Sequence, residues 1–191
     1  MRALILSAGR GARMRPWTDR MPKPLIPLAG KPLIVHQIER LQRAGYTELV
    51  INLGWLGEQI ESVLGSGQPW GVSIQYSREP DGALETAGGM AFARPLLGEA
   101  PYLVINSDIW MDFPLDTLMD HEPDGDAHLV FVHNPPHHEA GDFAIQNGRA
   151  TLMGAPKYTY SGLGVYRPGL VDHIPAGPWP LRPVLDQAIG E

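Results

Sequence analysis

The sequence predicts an α/β protein with a mostly parallel central sheet, helices on both faces and a small β-rich appendage on the substrate side. Short apolar runs closed by a polar residue or a glycine alternate with helical patterns as far as about residue 120. Beyond that point the pattern changes, and Phe143–Gln146, an Asn147-Gly148 turn and residues 150–153 read as a hairpin. The 22 glycines and 19 prolines are too many for a helical bundle and suit many loops between short elements.

The first strand is expected at Ala3–Leu6, an apolar run too short for a signal-peptide core or a membrane span. Further strands are expected at 48–52, 72–76, Tyr102–Asn106 and 129–133. A helix over 32–44 opens on a proline at a permitted first-turn position, carries Leu33, Ile38 and Leu41 on one side, and stops at Gly45. Residues 56–64 and Glu85–Leu97 have weaker helical spacing, and Gly88 and Gly89 interrupt the second near its start. Right-handed crossovers between such strands place a ligand crevice beyond the carboxyl ends of the strands. Without repeats, low-complexity tracts or linkers, residues 1–191 are expected to form one continuous domain.

Composition removes several function classes. With 43% hydrophobic residues the chain can bury a core, which argues against disorder. Fifteen Lys+Arg against 21 Asp+Glu give a net charge of −6, which removes the broad electrostatic reason to bind nucleic acid or an anionic membrane. Any phosphate site must be local. With no cysteine there is no disulfide, thiolate zinc site or cysteine nucleophile. No run approaches the roughly 20 apolar residues of a transmembrane helix, and the expected location is the cytoplasm.

Directly after the first strand stands Leu6-Ser7-Ala8-Gly9-Arg10-Gly11-Ala12-Arg13-Met14-Arg15-Pro16, followed by Pro22-Lys23-Pro24-Leu25. A glycine-rich loop lets backbone N–H groups approach phosphate oxygens while arginine and lysine neutralise their charge. No Gly-Lys-Ser/Thr follows and no third glycine completes GxGxxG, so P-loop and dinucleotide-binding chemistry are disfavoured. The alternative is a surface loop with solvated arginines. Asn106-Ser107-Asp108 ends the fourth strand, where the Asp108 carboxylate could hold Mg²⁺ against substrate phosphates or simply cap a turn. In Leu84-Glu85-Thr86-Ala87-Gly88-Gly89 the glycines could admit a base or ribose, or pack helix on strand. His133, His137, His138, Glu139 and Asp142 lack helical metal-ligand spacing, and a metal reading of them is weak. Trp17, Trp55, Trp70, Trp110 and Trp179 are scattered and read as packing residues.

Taken in order, LSAGRGARMRP…PKPLIPLAGKPLI, LETAGG, NSD and YSGLGVY resemble the sugar-1-phosphate nucleotidyltransferases over nearly the whole chain. The resemblance implies a Rossmann-like nucleotidyltransferase fold that joins a nucleoside triphosphate to a sugar 1-phosphate and releases pyrophosphate. GEQI, LETAGG, HNPP and GDF look most like the bacterial branch that uses UTP and N-acetylmuramate 1-phosphate in cell-wall recycling. Residue by residue, it implies Ala8, Gly9 and Gly11 around the nucleotide, Arg13 and Lys23 on its phosphates, and Asp108 as a Mg²⁺ ligand. Glu79, Glu85 and Gly88 fall at the base and ribose, and Asn106, Gly141, Lys157, Ser161 and Gly162 fall at the sugar.

The resemblance also implies a second metal aspartate beyond Leu185, whereas the chain ends at Glu191. The expectation is therefore a domain truncated at its C-terminus, with a neighbouring carboxylate as a substitute ligand or a nucleotide-sugar binding module without turnover. Ser107 stands where many relatives carry glycine. A sheet edge or apolar face exposed at a missing element favours a homodimer, which size-exclusion chromatography reads. The enzymatic rivals are mannose 1-phosphate with GTP and glucose 1-phosphate with dTTP.

Overall fold

In the computed structural model, which describes residues 1–80 and 84–190, the apolar first strand β1 (Ala3–Leu6) sits inside the sheet. A run with no polar alternation must be covered on both faces. β1 pairs in parallel with β4 (Glu48–Leu53) on one side and β6 (Tyr102–Asn106) on the other. β5 (Ser73–Arg78) continues the parallel sheet beyond β4. Beyond β6 lies β10 (Lys157–Tyr166), antiparallel to it. β10 also carries β7 (Ala127–Val132) and β8 (Phe143–Gln146), and β9 (Arg149–Thr151) closes a hairpin with β8. The order is β5-β4-β1-β6-β10-β8-β9, with β7 paired to β10. A separate two-residue ladder joins β2 (Pro27–Leu28) to β3 (Lys31–Pro32).

Alternation along the strands divides the core in two. Ala3, Ile5, Leu49 and Ile51 face α1 (Leu33–Arg43) and α2 (Gly57–Leu64), through Ile34, Ile38, Leu41 and Ile60. Leu4, Val50 and Val104 face α3 (Glu85–Leu97), α4 (Gly169–Asp172) and α5 (Leu181–Gly190), through Met90, Leu97, Leu170 and Val184. Full burial of each large aliphatic side chain contributes roughly 1.5–3 kcal/mol. The chain leaves β1 for β4 and β5 and returns to β1's other side as β6. The strand order therefore reverses at β1, and the crevice opens where β1 and β6 end.

Several expectations need correction. β5 runs to Arg78 because its ladder with β4 continues to Leu53. The strand expected at 129–133 begins at Ala127, where β10 supplies the partner through Tyr166. α1 buries Ile34, Val35, Ile38 and Leu41, leaving Leu33 only half-buried. β10 was not expected as a strand because Gly162 and Gly164 weaken strand propensity; its pairing with β6, β7 and β8 overrides them. α5 was not expected either, although Pro183 stands in its first turn, where a missing N–H costs no helical hydrogen bond. Trp17 and Trp110 are each 70% exposed, so they are not packing residues. Among the described residues no helix is long and apolar enough to cross a membrane.

Candidate active site

Register brings the two main motifs together. Leu6 stands opposite Asn106 in the β1/β6 ladder, so the glycine-rich loop and Asp108 leave the same edge of the sheet. Ser7 is buried, and its N–H donates to Asn52 Oδ1 at 2.5 Å. The Ala8 carbonyl accepts from the Trp55 N–H at 3.2 Å. Gly11 adopts φ +64°, and a Cβ there would lie 3.0 Å from Thr18 and 3.1 Å from Lys23. The Thr18 hydroxyl donates to the Gly11 carbonyl at 2.9 Å, and the Trp55 indole N–H donates to the Thr18 carbonyl at 2.8 Å. The loop backbone is thus fixed by contacts outside itself. Around Gly9 a Cβ would meet nothing, and the backbone there is open to approach.

Opposite the loop, the Lys23 ammonium donates to Asp108 Oδ2, with both side chains about one-third exposed. Lys23 comes from the 3₁₀ turn Lys23–Leu25 and Asp108 from just past β6. Buried Gln37 of α1 donates its side-chain N–H to the Ile109 carbonyl, tying the residue after Asp108 to the helix. The loop, Lys23 and Asp108 line a cavity of about 360 Å³.

Glu79 and Glu85 line the same cavity. Glu79 accepts from Asn52 Nδ2 at 2.7 Å and from the Leu84 N–H at 3.3 Å. Burial pushes its carboxyl above the ordinary glutamate range, and these two hydrogen bonds offset only part of that shift. At low pH the group is protonated whether the chain is folded or not. As pH rises through the unfolded value of about 4.3, the unfolded chain ionises first and the folded state loses stability until pH passes the folded value. Glu79→Gln is expected to remove this loss. Thermal unfolding from pH 4 to 7 should show wild type falling relative to the variant, and parallel curves would refute it.

A second cavity of about 380 Å³ shares Leu6, Glu85, Thr86 and Asn106 with the first. Ser161 and Gly162 line it, with Asp142, Phe143 and Arg182. Gly162 adopts φ +81° at the irregularity in the β10/β7 ladder, and a Cβ there would sit 2.5 Å from Asn106 Nδ2. The Ser161 hydroxyl donates to the Val130 carbonyl at 2.7 Å. Glu85, at the start of α3, has φ +59°, a strained conformation for a residue with a side chain.

Ala8, Gly9, Gly11, Lys23, Glu79 and Asp108 therefore converge on the first cavity, Ser161 and Gly162 on the second, and Glu85 and Asn106 on both. Other expected residues stand elsewhere. Arg13 is exposed on the 3₁₀ turn Ala12–Met14 and does not line the cavity. Gly88 is buried against the backbone of residues 177–179, the packing alternative. Gly141 at φ +63° packs on Asn134, the Lys157 carbonyl accepts from Asn134 Nδ2 at 2.9 Å, and neither residue lines the second cavity. Among the described residues no group of three or more His, Asp or Glu is placed to hold a metal. His138 contacts Asp142 at 3.1 Å. Sequence reasoning missed Ser7, Asn52, Gln37 and Arg182. Asn52, a buried polar residue between Ile51 and Leu53, carried the one usable signal.

The sequence model of the Nucleotidyl transferase family matches residues 2–146. The chain is 50% identical over 187 residues to the N-acetylmuramate alpha-1-phosphate uridylyltransferase of Neisseria meningitidis serogroup B, spanning 93% of this chain and 80% of that protein. It is 31% identical over 191 residues to mannose-1-phosphate guanyltransferase beta-B of Xenopus laevis, 93% of this chain but 53% of that protein, about half its length. A Bacillus anthracis structure solved in complex with a sucrose superposes with a TM-score of 0.84 at 22% identity, covering 99% of this chain and 84% of that one. HddC from Yersinia pseudotuberculosis complexed with GMP-PN superposes with a TM-score of 0.78 at 18% identity, covering 95% and 83%. Both share the Rossmann-like α/β fold. With the loop, Lys23 and Asp108 gathered at the strand ends and a match over most of the chain, this protein belongs to the nucleotidyl transferase family, among its sugar-1-phosphate nucleotidyltransferases.

Proposed function

We propose that the chain transfers a uridylyl group from UTP to N-acetylmuramate 1-phosphate, releasing pyrophosphate, with Mg²⁺ as its cation, in the cytoplasm and for cell-wall recycling. The carrying observation is the pair of joined cavities, with Lys23 and Asp108 on the first and Ser161 and Gly162 on the second. The uridylyl and N-acetylmuramate specificities rest on the 50% identity to the Neisseria protein.

A sugar 1-phosphate is substantially dianionic near neutrality, since phosphate monoesters have a second pKa of about 6. Its oxygen can attack the α-phosphorus without a strong general base, and the bond to pyrophosphate breaks as the new P–O bond forms. The protein's contribution is positioning and charge neutralisation. The Ala8–Gly11 backbone cradles the phosphates, Lys23 neutralises charge on the reacting centre, and Arg13 meets the outer phosphates from the exposed turn. Glu79 and Glu85 face the nucleoside, and Asn106, Ser161 and Gly162 face the sugar. Gly88, Gly141 and Lys157 act behind these surfaces as packing.

Asp108 fits Mg²⁺, which is held by one or two carboxylates together with substrate phosphates. Its Oδ2 is held by Lys23, and its other oxygen has no protein partner among the described residues. Bound there, Mg²⁺ would supply Lewis-acid neutralisation of phosphate charge.

Pyrophosphate release with UTP, Mg²⁺ and N-acetylmuramate 1-phosphate tests the reading, beside GTP with mannose 1-phosphate and dTTP with glucose 1-phosphate. Selective turnover of the first pair is expected. Preference for another pair would reassign the substrates, and tight UTP or UDP-sugar binding with no release from any pair would make the chain a binding module.

A further inference from the structure

We infer that Arg182 determines specificity for a sugar 1-phosphate bearing a carboxylate, by pairing its guanidinium with that carboxylate in the second cavity. The inference rests on the proposed reading and deepens it.

Among the described residues lining the second cavity, Arg182 is the only cationic side chain. It enters from the first turn of α5, on the side away from Lys23 and Asp108, which line only the first cavity. Its guanidinium is oriented before any ligand arrives. The Nε–H donates to Asp186 Oδ1 at 2.6 Å, and the guanidinium carbon lies 4.4 Å from the centroid of the Phe143 ring. Nη1 stands 3.5 Å from Asp142 Oδ1, too long for a good hydrogen bond. Asp142 is itself fixed, because its Oδ2 accepts the Tyr160 N–H at 2.8 Å and its Oδ1 contacts His138 Nε2 at 3.1 Å. Nη2 has no protein partner among the described residues. The two aspartates and the ring thus set the plane of the fork and leave its outer N–H groups to the cavity.

A planar fork with free N–H donors matches a carboxylate bidentately, and a lysine ammonium does not reproduce that geometry. N-acetylmuramate differs from N-acetylglucosamine by a lactyl ether that ends in a carboxylate. With the phosphate drawn to Lys23 at one end, that group needs a cation at the far end, and Arg182 supplies it. A neutral hydroxyl in its place offers the outer N–H groups of the fork neither a charge nor a bidentate acceptor, which gives discrimination as well as affinity.

Steady-state kinetics with UTP and either N-acetylmuramate 1-phosphate or N-acetylglucosamine 1-phosphate test this in wild type, Arg182→Gln and Arg182→Lys. Arg182→Gln is expected to lower kcat/KM for the carboxylated sugar about 10- to 100-fold, mainly through KM, corresponding to roughly 1.4–2.8 kcal/mol. The uncharged sugar should change less than about three-fold, and Arg182→Lys should fall between. Equal losses on both sugars, or no loss on the carboxylated one, overturn the inference and leave the uridylyltransferase reading standing. Wild type that turns over neither sugar removes both.

Arg182 also packs on Phe143, so a substrate-side measurement on the wild-type protein separates the inference from any loss of folding in the variants. Wild type should lose a similar factor when the lactyl carboxylate is converted to its amide. Equal use of acid and amide overturns the inference.

Discussion

Lys23→Ala is expected to lower kcat/KM for pyrophosphate release by about 10²- to 10³-fold, the range seen when one preorganised donor to a transition-state oxyanion is removed. Lys23 lines the first cavity with its ammonium on Asp108. Without it the carboxylate faces the incoming polyphosphate with no cation beside it, so repulsion adds to the lost stabilisation. Folding should hardly change, since the pair is about one-third exposed and pairs of that kind contribute about 0–1 kcal/mol. A melting curve beside the pyrophosphate assay separates the two effects. Near-normal turnover with saturating Mg²⁺ would remove Lys23 from the chemistry, and the same result with Asp108→Asn would remove the metal role.

Gly88→Ala should destabilise the fold by about 1–3 kcal/mol, the cost of overpacking a fitted interior. Glycine to alanine inside a helix ordinarily stabilises by roughly 0.5–1 kcal/mol, so the expected sign is reversed. A Cβ at Gly88 would lie 2.4 Å from the Gly177 carbonyl oxygen and 3.1 Å from the Trp179 N–H nitrogen, and backbone cannot swing aside as a side chain can. Three hydrogen bonds hold residues 177–179, a strap ahead of α5, to the start of α3. The Ala87 and Gly88 N–H groups donate to the Trp179 carbonyl at 2.9 and 3.1 Å, and the Trp179 N–H donates to the Leu84 carbonyl at 2.9 Å. At roughly 2–4 °C per kcal/mol for a chain of this size, the melting temperature should fall visibly. Pro180 and Leu181, next along the strap, line the second cavity, so KM for the sugar phosphate should rise more than KM for the nucleotide. Gly169→Ala, where a Cβ meets nothing within 4 Å, is the control. An unchanged or raised melting temperature for Gly88→Ala would contradict the packing account.

Much of the site was legible in the chain because its parts are local. A glycine-rich loop directly after an apolar strand, and an aspartate directly after another, can be read from spacing alone, and once those strands lie side by side their following residues must meet. The expected bounds match the structure at Ala3–Leu6, Tyr102–Asn106 and Glu85–Leu97. β10 was not legible, since glycines that weaken an isolated strand are tolerated when three neighbours supply ladder hydrogen bonds.

By itself the sequence determined the alternating α/β architecture, the family motifs and the local chemistry of the Gly9–Gly11 loop, Lys23 and Asp108. Only the tertiary structure decided that Asn52 joins Ser7 to Glu79, that Gln37 holds Ile109, that Gly88 packs on a strap, and that Arg182 enters the second cavity. The physical reason is distance along the chain. Ser7 and Asn52 are 45 residues apart and Gln37 and Ile109 are 72 apart, so side-chain periodicity carries no record of their meeting. Burial of two apolar faces on one sheet brings them together.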